Sequence, residues 1–574
     1  MPRWLRPLLR LMALAMAGVH TAVAVMQQSM NADGINYLDM GDAYLSGDWA
    51  AALNGVWSPV YAWLLASSVR SFEPSIWWEF PTVQLTNFAI YCVALLCFEF
   101  FWRRLTRRHY DRHSMRAGVV GFPPVGWLIL GYSLFIWSSL DLINIWSVTP
   151  DLCVAAVVYV AGGLVLRAPG RSTTMQWAVG LGLLLGFGYL VKAALLPLGI
   201  VCLVLAAMAA AGPLRQRAAA LGVSLAAMAL VAAPLIVALS WSSGRFTVGD
   251  VGRFTYMKHV NELAYPDFLA SLDRVAGAPL NPPRRIFEVP PVYEFTSPIA
   301  GTYPMAYNPG YWTAGLEPVV SPRAQARALM TSVMSYFDLF VRQQGGFLAI
   351  VLLLWFMRDR EGLRRIHLDG EVVLVLWSLA AFGMYAIVHV QPRYIAPFVV
   401  LLWAGVLGRL SFSPDPGGRR LAMVGGALLA GFVWVNLAAS NLDGVRRVVG
   451  LTPLSESASQ PAFAVAVARR NASHPEIAHA LLQVGLRNGD PVGFIGYSYT
   501  EAWARLARLR IVAEIHWHDK DRFWHAPAAV KAEVIRAFAG TGAAALIAEP
   551  LATGEVPAGW QGVGDTGYLI YWLR

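Results

Sequence analysis

Charge is scarce in this sequence. Only 14% of its 574 residues are charged, and 57% are hydrophobic, whereas an average soluble domain is about 25% charged. A water-soluble chain of this length would have no surface on which to place so much apolar material. Lysine is nearly missing: it stands only at 192, 258, 520 and 531, so the net charge of +10 is carried by arginine. Cysteine is limited to Cys92, Cys97, Cys153 and Cys202, all in apolar runs without zinc-ligand spacing, which excludes a disulfide framework and leaves them as packing residues. The short loops hold no glycine-rich phosphate loop opening a helix, which argues against an ATP-driven pump. No convincing internal repeat of the kind seen in secondary transporters is present.

What is there is a series of long apolar runs. A helix needs roughly 20 apolar residues to cross the hydrocarbon. Eleven segments qualify or come close, at about 8–26, 81–102, 118–137, 151–167, 177–191, 194–211, 218–240, 345–357, 371–388, 395–410 and 421–439. Short fifth and eighth segments bracket the count at ten to twelve. Arginines cluster in every second loop: Arg103, Arg104, Arg107, Arg108, Arg112 and Arg116; Arg167 and Arg171; Arg215 and Arg217; Arg358, Arg360, Arg364 and Arg365; Arg409, Arg419 and Arg420. The positive-inside rule makes those loops cytoplasmic, with a cytoplasmic N-terminus. These clusters are topology signals rather than a nucleic-acid interface. The first span has a rival reading, because its basic start and Ala22-Val23-Ala24 resemble a cleavable signal peptide; either way residue 27 onward faces outward. The expected fold is an α-helical polytopic membrane protein of about eleven transmembrane helices. The membrane domain covers 1–440 with outer loops 27–80 and 241–344, and 441–574 forms a small periplasmic α/β domain whose strands alternate with helices. Asn471-Ala-Ser473 matches a glycosylation acceptor, a weak motif.

The chemistry-bearing residues lie on the outer side. Asp33 follows the first span and can N-cap a helix running to Ser46, with Gly47 ending it. Asp39 and Asp42 lie three apart on one face. Thr149-Pro150-Asp151 has the form of a helix start, with Thr149 as cap. Lys192 sits in the apolar stretch Gly188–Pro197, where a charge is costly and usually serves a site, although a lysine at a membrane edge can also snorkel. His389-Val-Gln-Pro-Arg393-Tyr394 forms an outer turn. Arg393 is a cation on the side the rule disfavours and can hold a phosphate bidentately. Tyr394 can anchor at the headgroups, and His389 can be a ligand, a base or a locally hydrogen-bonded side chain. The 241–344 loop is rich in proline and aromatics, which suits an ordered lid with few regular elements.

Four of these elements, in order, resemble the GT-C superfamily of membrane glycosyltransferases, nearest its bacterial aminoarabinose-transferase-like and mannosyltransferase-like members. They are Asp33 with Tyr37 and Trp57-Ser-Pro-Val-Tyr61, then Thr149-Pro-Asp151, then Gly188 to Lys192, then Arg393-Tyr-Ile-Ala-Pro397. The resemblance covers about 1–410. It implies a glycosyltransferase, hexosyl or pentosyl, at the outer face of a bacterial inner membrane. The donor would be a polyprenyl phosphate carrying one sugar, and the acceptor a glycan, lipid or protein. By resemblance Asp33 activates the acceptor, which attacks the anomeric carbon with inversion. Lys192 and Arg393 hold the departing phosphate, Asp151 shapes the site, and Tyr37, His389 and Tyr394 line it. Relatives place Glu after the first Asp and Lys/His-Pro-Pro at the later element, whereas here Gly34 and Ser58-Pro59 stand. A divalent metal is therefore an open expectation without an assignable ligand set. A transporter or flippase, and a non-catalytic envelope assembly protein in which the acids are caps alone, are the competing classes.

Overall fold

The computed structural model describes residues 2–115, 118–167, 175–295, 301–358, 368–450, 462–551 and 555–573. Arg116, Arg171, Arg360, Arg364 and Arg365 lie outside the described residues, as do the side chains of Arg167 and Asn471. Every apolar segment read from the sequence is helical. Helix α1 (Leu5–Met26) leads into a polar segment folded as α2 (Ala32–Ser46) and α3 (Pro59–Phe72). Then come α4 (Glu79–Met115), α5 (Pro124–Trp137), α6 (Asp151–Arg167), α7 (Met175–Val191), α8 (Leu195–Ala209) and α9 (Leu214–Ser243). The second polar segment holds α10 (Val251–His259), β1 (Arg284–Phe287) and β2 (Val292–Glu294). It continues into α11 (Pro322–Phe337), after which the chain bends by 78° into α12 (Gly345–Met357). Helices α13 (Gly370–Ala386), α14 (Pro392–Gly408) and α15 (Pro416–Val448) complete the bundle. The third polar segment comprises α16 (Ala462–Gln483), β3 (Pro491–Gly496), α17 (Ala502–Leu506), β4 (Arg510–His516), α18 (Ala528–Gly540), β5 (Ala545–Ala548), β6 (Gln561–Gly562) and β7 (Leu569–Trp572).

Among the described residues five helices are long and apolar enough to cross a membrane alone, and the bent pair α11–α12 makes a sixth. The other apolar helices, α6, α7, α8, α13 and α14, are shorter. Small residues let the backbones approach, as is usual between membrane helices. A Cβ on Gly182 of α7 would stand 2.2 Å from the Ser224 carbonyl oxygen of α9. The third apolar run starts later than expected, since Val120 pairs with Phe412 in a two-residue antiparallel bridge before α5 begins. At that end of the bundle several arginines do more than mark topology. Arg112 reaches Asp369 at 2.9 Å and Glu371 at 2.5 Å, Arg108 reaches Glu371 at 3.0 Å, and Arg409 reaches Asp369 at 2.9 Å. Glu371 is fully buried, so these pairs tie α4, α13 and the end of α14 together.

At the opposite end the three polar segments close on one another. The sheet order is β1-β2-β4-β3-β5-β7-β6, with β4, β3 and β5 parallel and the rest antiparallel. Strands and helices alternate along this segment, in the pattern its sequence implies. The second polar segment contributes its two outermost strands, β2 pairing Tyr293 with Glu514 of β4. Beneath the sheet, Arg505 of α17 is 2% exposed. Its guanidinium reaches Asp39 at 2.8 Å, Asp42 at 2.5 Å and Glu79 at 2.9 Å. Arg508 doubles the contact to Asp42 and Glu79 at 3.0 and 2.8 Å. The second Asp39 oxygen accepts the Thr302 backbone N–H at 2.6 Å. The next residue, Tyr303, donates its hydroxyl to Glu514 at 2.8 Å. One chain of polar contacts therefore links all three segments.

Two measurements follow from this head. Arg505→Ala leaves buried Asp39 without its cation, and removing one member of such a buried cluster costs about 3–5 kcal/mol; thermal unfolding in detergent should drop sharply, and an unchanged midpoint would mean the cluster does not hold the head. Burial raises the Glu514 carboxyl to about 7, against the opposing hydrogen bonds from Ser498 and Tyr303. The folded chain thus keeps this proton to a higher pH than the unfolded chain does. Stability from this group is full below the ordinary carboxylate range and is lost as pH rises to about 7 and beyond. Glu514→Gln should flatten the fall in melting temperature between pH 5 and pH 8.

Candidate functional site

The cleft is built where α2, α6, α7 and α14 start or end at the head side of the bundle. Its geometry begins with a stitch between two turns. Asn31, at the N-cap position of α2, accepts the Val148 backbone N–H through its side-chain oxygen at 2.9 Å and donates to the Val148 carbonyl at 3.5 Å. This fixes the start of α2 beside the start of α6 and brings Asp33 near Asp151. The expectation that Asp33 caps α2 is thereby corrected: Asn31 holds the cap position and Asp33 lies in the first helical turn. Gly34 is required by the same approach. A Cβ there would lie 2.7 Å from two carbons of the Val148 side chain. It would also meet the Met30 sulfur at 2.6 Å, so a larger residue here would need Met30 or Val148 to shift.

Asp33 faces Arg393 at 3.2 Å. The other end of the Arg393 fork lies 3.7 Å from Asp151, and its Nε donates to Gln391 at 2.8 Å. Lys192, just past α7, donates to Asp151 at 2.5 Å and sits 4.0 Å from the centroid of the Tyr394 ring. Asp151 also accepts the Thr149 hydroxyl at 2.9 Å. Tyr394 stacks on Tyr385 with centroids 5.3 Å apart. Asp151 is 2% exposed, while Asp33, Lys192 and Arg393 keep 22–25% of their side chains open. The result is a charge-balanced quartet with one sealed carboxylate at its base and three groups on an open wall.

Five of the seven residues singled out from the sequence, Asp33, Asp151, Lys192, Arg393 and Tyr394, thus meet in one place. Tyr37 is buried beside them, edge-on to Trp57 and Tyr61 at 5.4 and 5.0 Å, and burial holds its hydroxyl well above the ordinary phenol range. It shapes the wall. His389 stands on the rim, its ring stacked on His259 with centroids 4.0 Å apart and planes within 1°. Burial, followed by the neighbouring Lys258 and Arg393 charges, lowers its pKa; burial lowers His259 to about 4. Both shifts favour the neutral rings.

Sequence reasoning missed Lys258, His259, Gln391 and Tyr499. Lys258 of α10 feels the Asp33 charge and makes no ion pair among the described residues, and burial lowers its pKa. As one of four lysines in the chain, it carried a signal that could have been used. Tyr499 reaches the same electrostatic neighbourhood from the third polar segment, and nothing local in the sequence marks it. Among the described residues no three His, Cys, Asp or Glu side chains come together to hold a metal. Asp33 and Asp151 each already face a cation. Among the described residues no ligand set for a divalent ion is assigned.

No family model matches the sequence, and no curated protein matches it. The architecture is shared with solved structures. It aligns over nearly its whole length with ArnT from Cupriavidus metallidurans bound to undecaprenyl phosphate, at a TM-score of 0.54 and 14% identity, covering 98% of each chain. The apo state of the same protein aligns at 0.50 and 14%, covering 98% of this chain and 97% of that one. An oligosaccharyltransferase from Archaeoglobus fulgidus, in complex with Zn and sulfate, aligns at 0.43 and 11%, covering 93% of this chain and 68% of that one. At these identities the likeness is one of fold.

Because the close approach at Gly34 builds the site, Gly34→Ala should lower thermal stability by about 1–3 kcal/mol, the usual range for overpacking. A variant as stable as the parent would show that the turn can move aside.

Proposed function

We propose that this protein transfers a sugar from a polyprenyl-phosphate donor to a hydroxyl or amine acceptor, with inversion, at the membrane face carrying the three polar segments. That face is the periplasmic one if the arginine-rich loops are cytoplasmic. The observation that carries this reading is the Asp33–Arg393–Asp151–Lys192 quartet, open on one side, in a fold whose neighbour ArnT is seen bound to undecaprenyl phosphate.

Each side chain then has a task. The Asp33 carboxylate takes the acceptor proton as the acceptor atom bonds to the anomeric carbon. The bond from that carbon to the phosphate oxygen breaks, and its electron pair leaves on the polyprenyl phosphate. Lys192 and the Arg393 fork face the growing negative charge on that phosphate. Asp151 holds both cations in place from the sealed side. In the structure Arg393 is bound to Asp33. An arriving phosphate competes for the same fork and releases the carboxylate toward the acceptor. Lys258 adds a cation on the same wall.

Asp33→Asn should cut transfer by about 10²–10⁴-fold in membranes supplied with polyprenyl-phosphate sugar, with expression intact; retained transfer would sink the assignment. Lys192→Ala and Arg393→Ala should raise the donor KM more than the acceptor KM. Equal effects on both would count against the phosphate role.

A further inference from the structure

At the end of the bundle away from the cleft, a cavity of about 560 Å³ opens between the starts of α5 and α15. The Val120–Phe412 bridge holds these two starts side by side, with backbone hydrogen bonds of 2.9 and 2.8 Å. The cavity wall is apolar on one side, from Val120, Pro123, Ala422 and Met423. Its other side is Arg419 and Arg420, both exposed and neither in an ion pair among the described residues. Several arginines at this end are spent otherwise: Arg103, Arg108, Arg112 and Arg409 each bind a carboxylate. The acid nearest to the pair in sequence, Asp415, turns its carboxylate to the Gly418 N–H at 2.5 Å to cap α15.

The position of the two charges is informative. They directly precede the apolar run of α15, so they lie at headgroup level of a membrane helix. Below them Val125 of α5 and Met423, Val424 and Leu428 of α15 are exposed on the lipid-facing side, continuing the cavity wall toward the bilayer interior. A free anion would meet the charges but leave this apolar path unused. A zwitterionic lipid would bring its own cation against the arginines.

We propose that this cavity binds one anionic glycerophospholipid of the surrounding membrane, phosphate on Arg419 and Arg420 and an acyl chain along the α5–α15 groove. Basic pockets between membrane helices on this kind of surface suit acidic headgroups, and each arginine near the surface is worth about fivefold in affinity. The site is separate from the transfer cleft and does not depend on its chemistry.

Native mass spectrometry of the full chain in detergent, titrated with dioleoyl phosphatidylglycerol and separately with dioleoyl phosphatidylcholine, tests it. The parent should retain phosphatidylglycerol in preference. Arg419→Gln with Arg420→Gln should lose affinity for it by about 25-fold and leave phosphatidylcholine unchanged. Met423→Trp, which fills the cavity and keeps both charges, should also weaken phosphatidylglycerol. Arg104→Gln with Arg107→Gln, two arginines of α4 at the same end, should behave as the parent does. Equal retention by the Arg419/Arg420 variant, an equal loss in the Arg104/Arg107 control, or full displacement by millimolar inorganic phosphate would each overturn the proposal.

Discussion

Arg505 carries one positive charge into a place where three carboxylates converge, and the architecture of the head follows from satisfying it. A buried guanidinium is tolerable when facing carboxylates compensate its charge; here Nε and Nη1 are engaged, while Nη2 has no hydrogen-bond partner among the described residues. The match here draws on residues far apart in the chain: Asp39 and Asp42 on α2, Glu79 at the start of α4, and Thr302 on the second polar segment. None of these segments can leave without stranding a charge. The α2 helix, which also carries Asp33 nearly two turns before Asp39, is therefore gripped from behind by the sheet domain. The catalytic geometry proposed at its first turn inherits that rigidity.

The two ion clusters at this end use the same residue types for opposite ends. Around Arg505 the guanidinium itself, Asp39 and Glu79 are sealed, and Asp42 alone of its three carboxylates is open. Around Arg393 only Asp151 is sealed. The remaining three groups keep about a quarter of their surface open, which leaves their partners exchangeable. A pair at 3.2 Å on an open wall can be displaced by a ligand anion; a guanidinium held by three carboxylates at 2% exposure cannot, at any comparable cost. Burial separates scaffold from site where composition alone does not.

That distinction explains what was readable in the sequence. The spans were, because hydrocarbon imposes a length and a composition on every crossing segment. The strands of the third polar segment were, because β-rich runs bounded by turns are local signals. Asp33, Asp151, Lys192 and Arg393 stood out because charges beside apolar runs are rare, and the structure brings them together. The partners that decide how they act were not visible. Arg505 looks like any arginine on a short helix, β1 and β2 lie in a proline-rich loop and become strands only by adding to β4, and His389 meets His259 across about 130 residues. Gly34 read as a departure from the GT-C pattern; of the two side chains that crowd it, Met30 and Val148, the second is over a hundred positions away.

The charge balance of the cleft bears on the kind of donor it can accept. Asp33 and Asp151 offset Arg393 and Lys192, so the quartet alone has no net attraction for an anion. Lys258 breaks the tie. It is half-withdrawn from water, lacks an ion pair among the described residues and is felt by Asp33. A polyprenyl-phosphate sugar is a phosphodiester with a single negative charge, and its arrival would bring the wall back to neutrality. Cleavage then leaves a phosphate monoester that can carry a second charge, and the wall has cations enough to stabilise it once Arg393 has turned from Asp33. A neutral substrate would leave Lys258 uncompensated. The observed pairing therefore suits a singly charged donor whose charge grows as the bond breaks, which is the direction in which a transferase gains by tightening its grip.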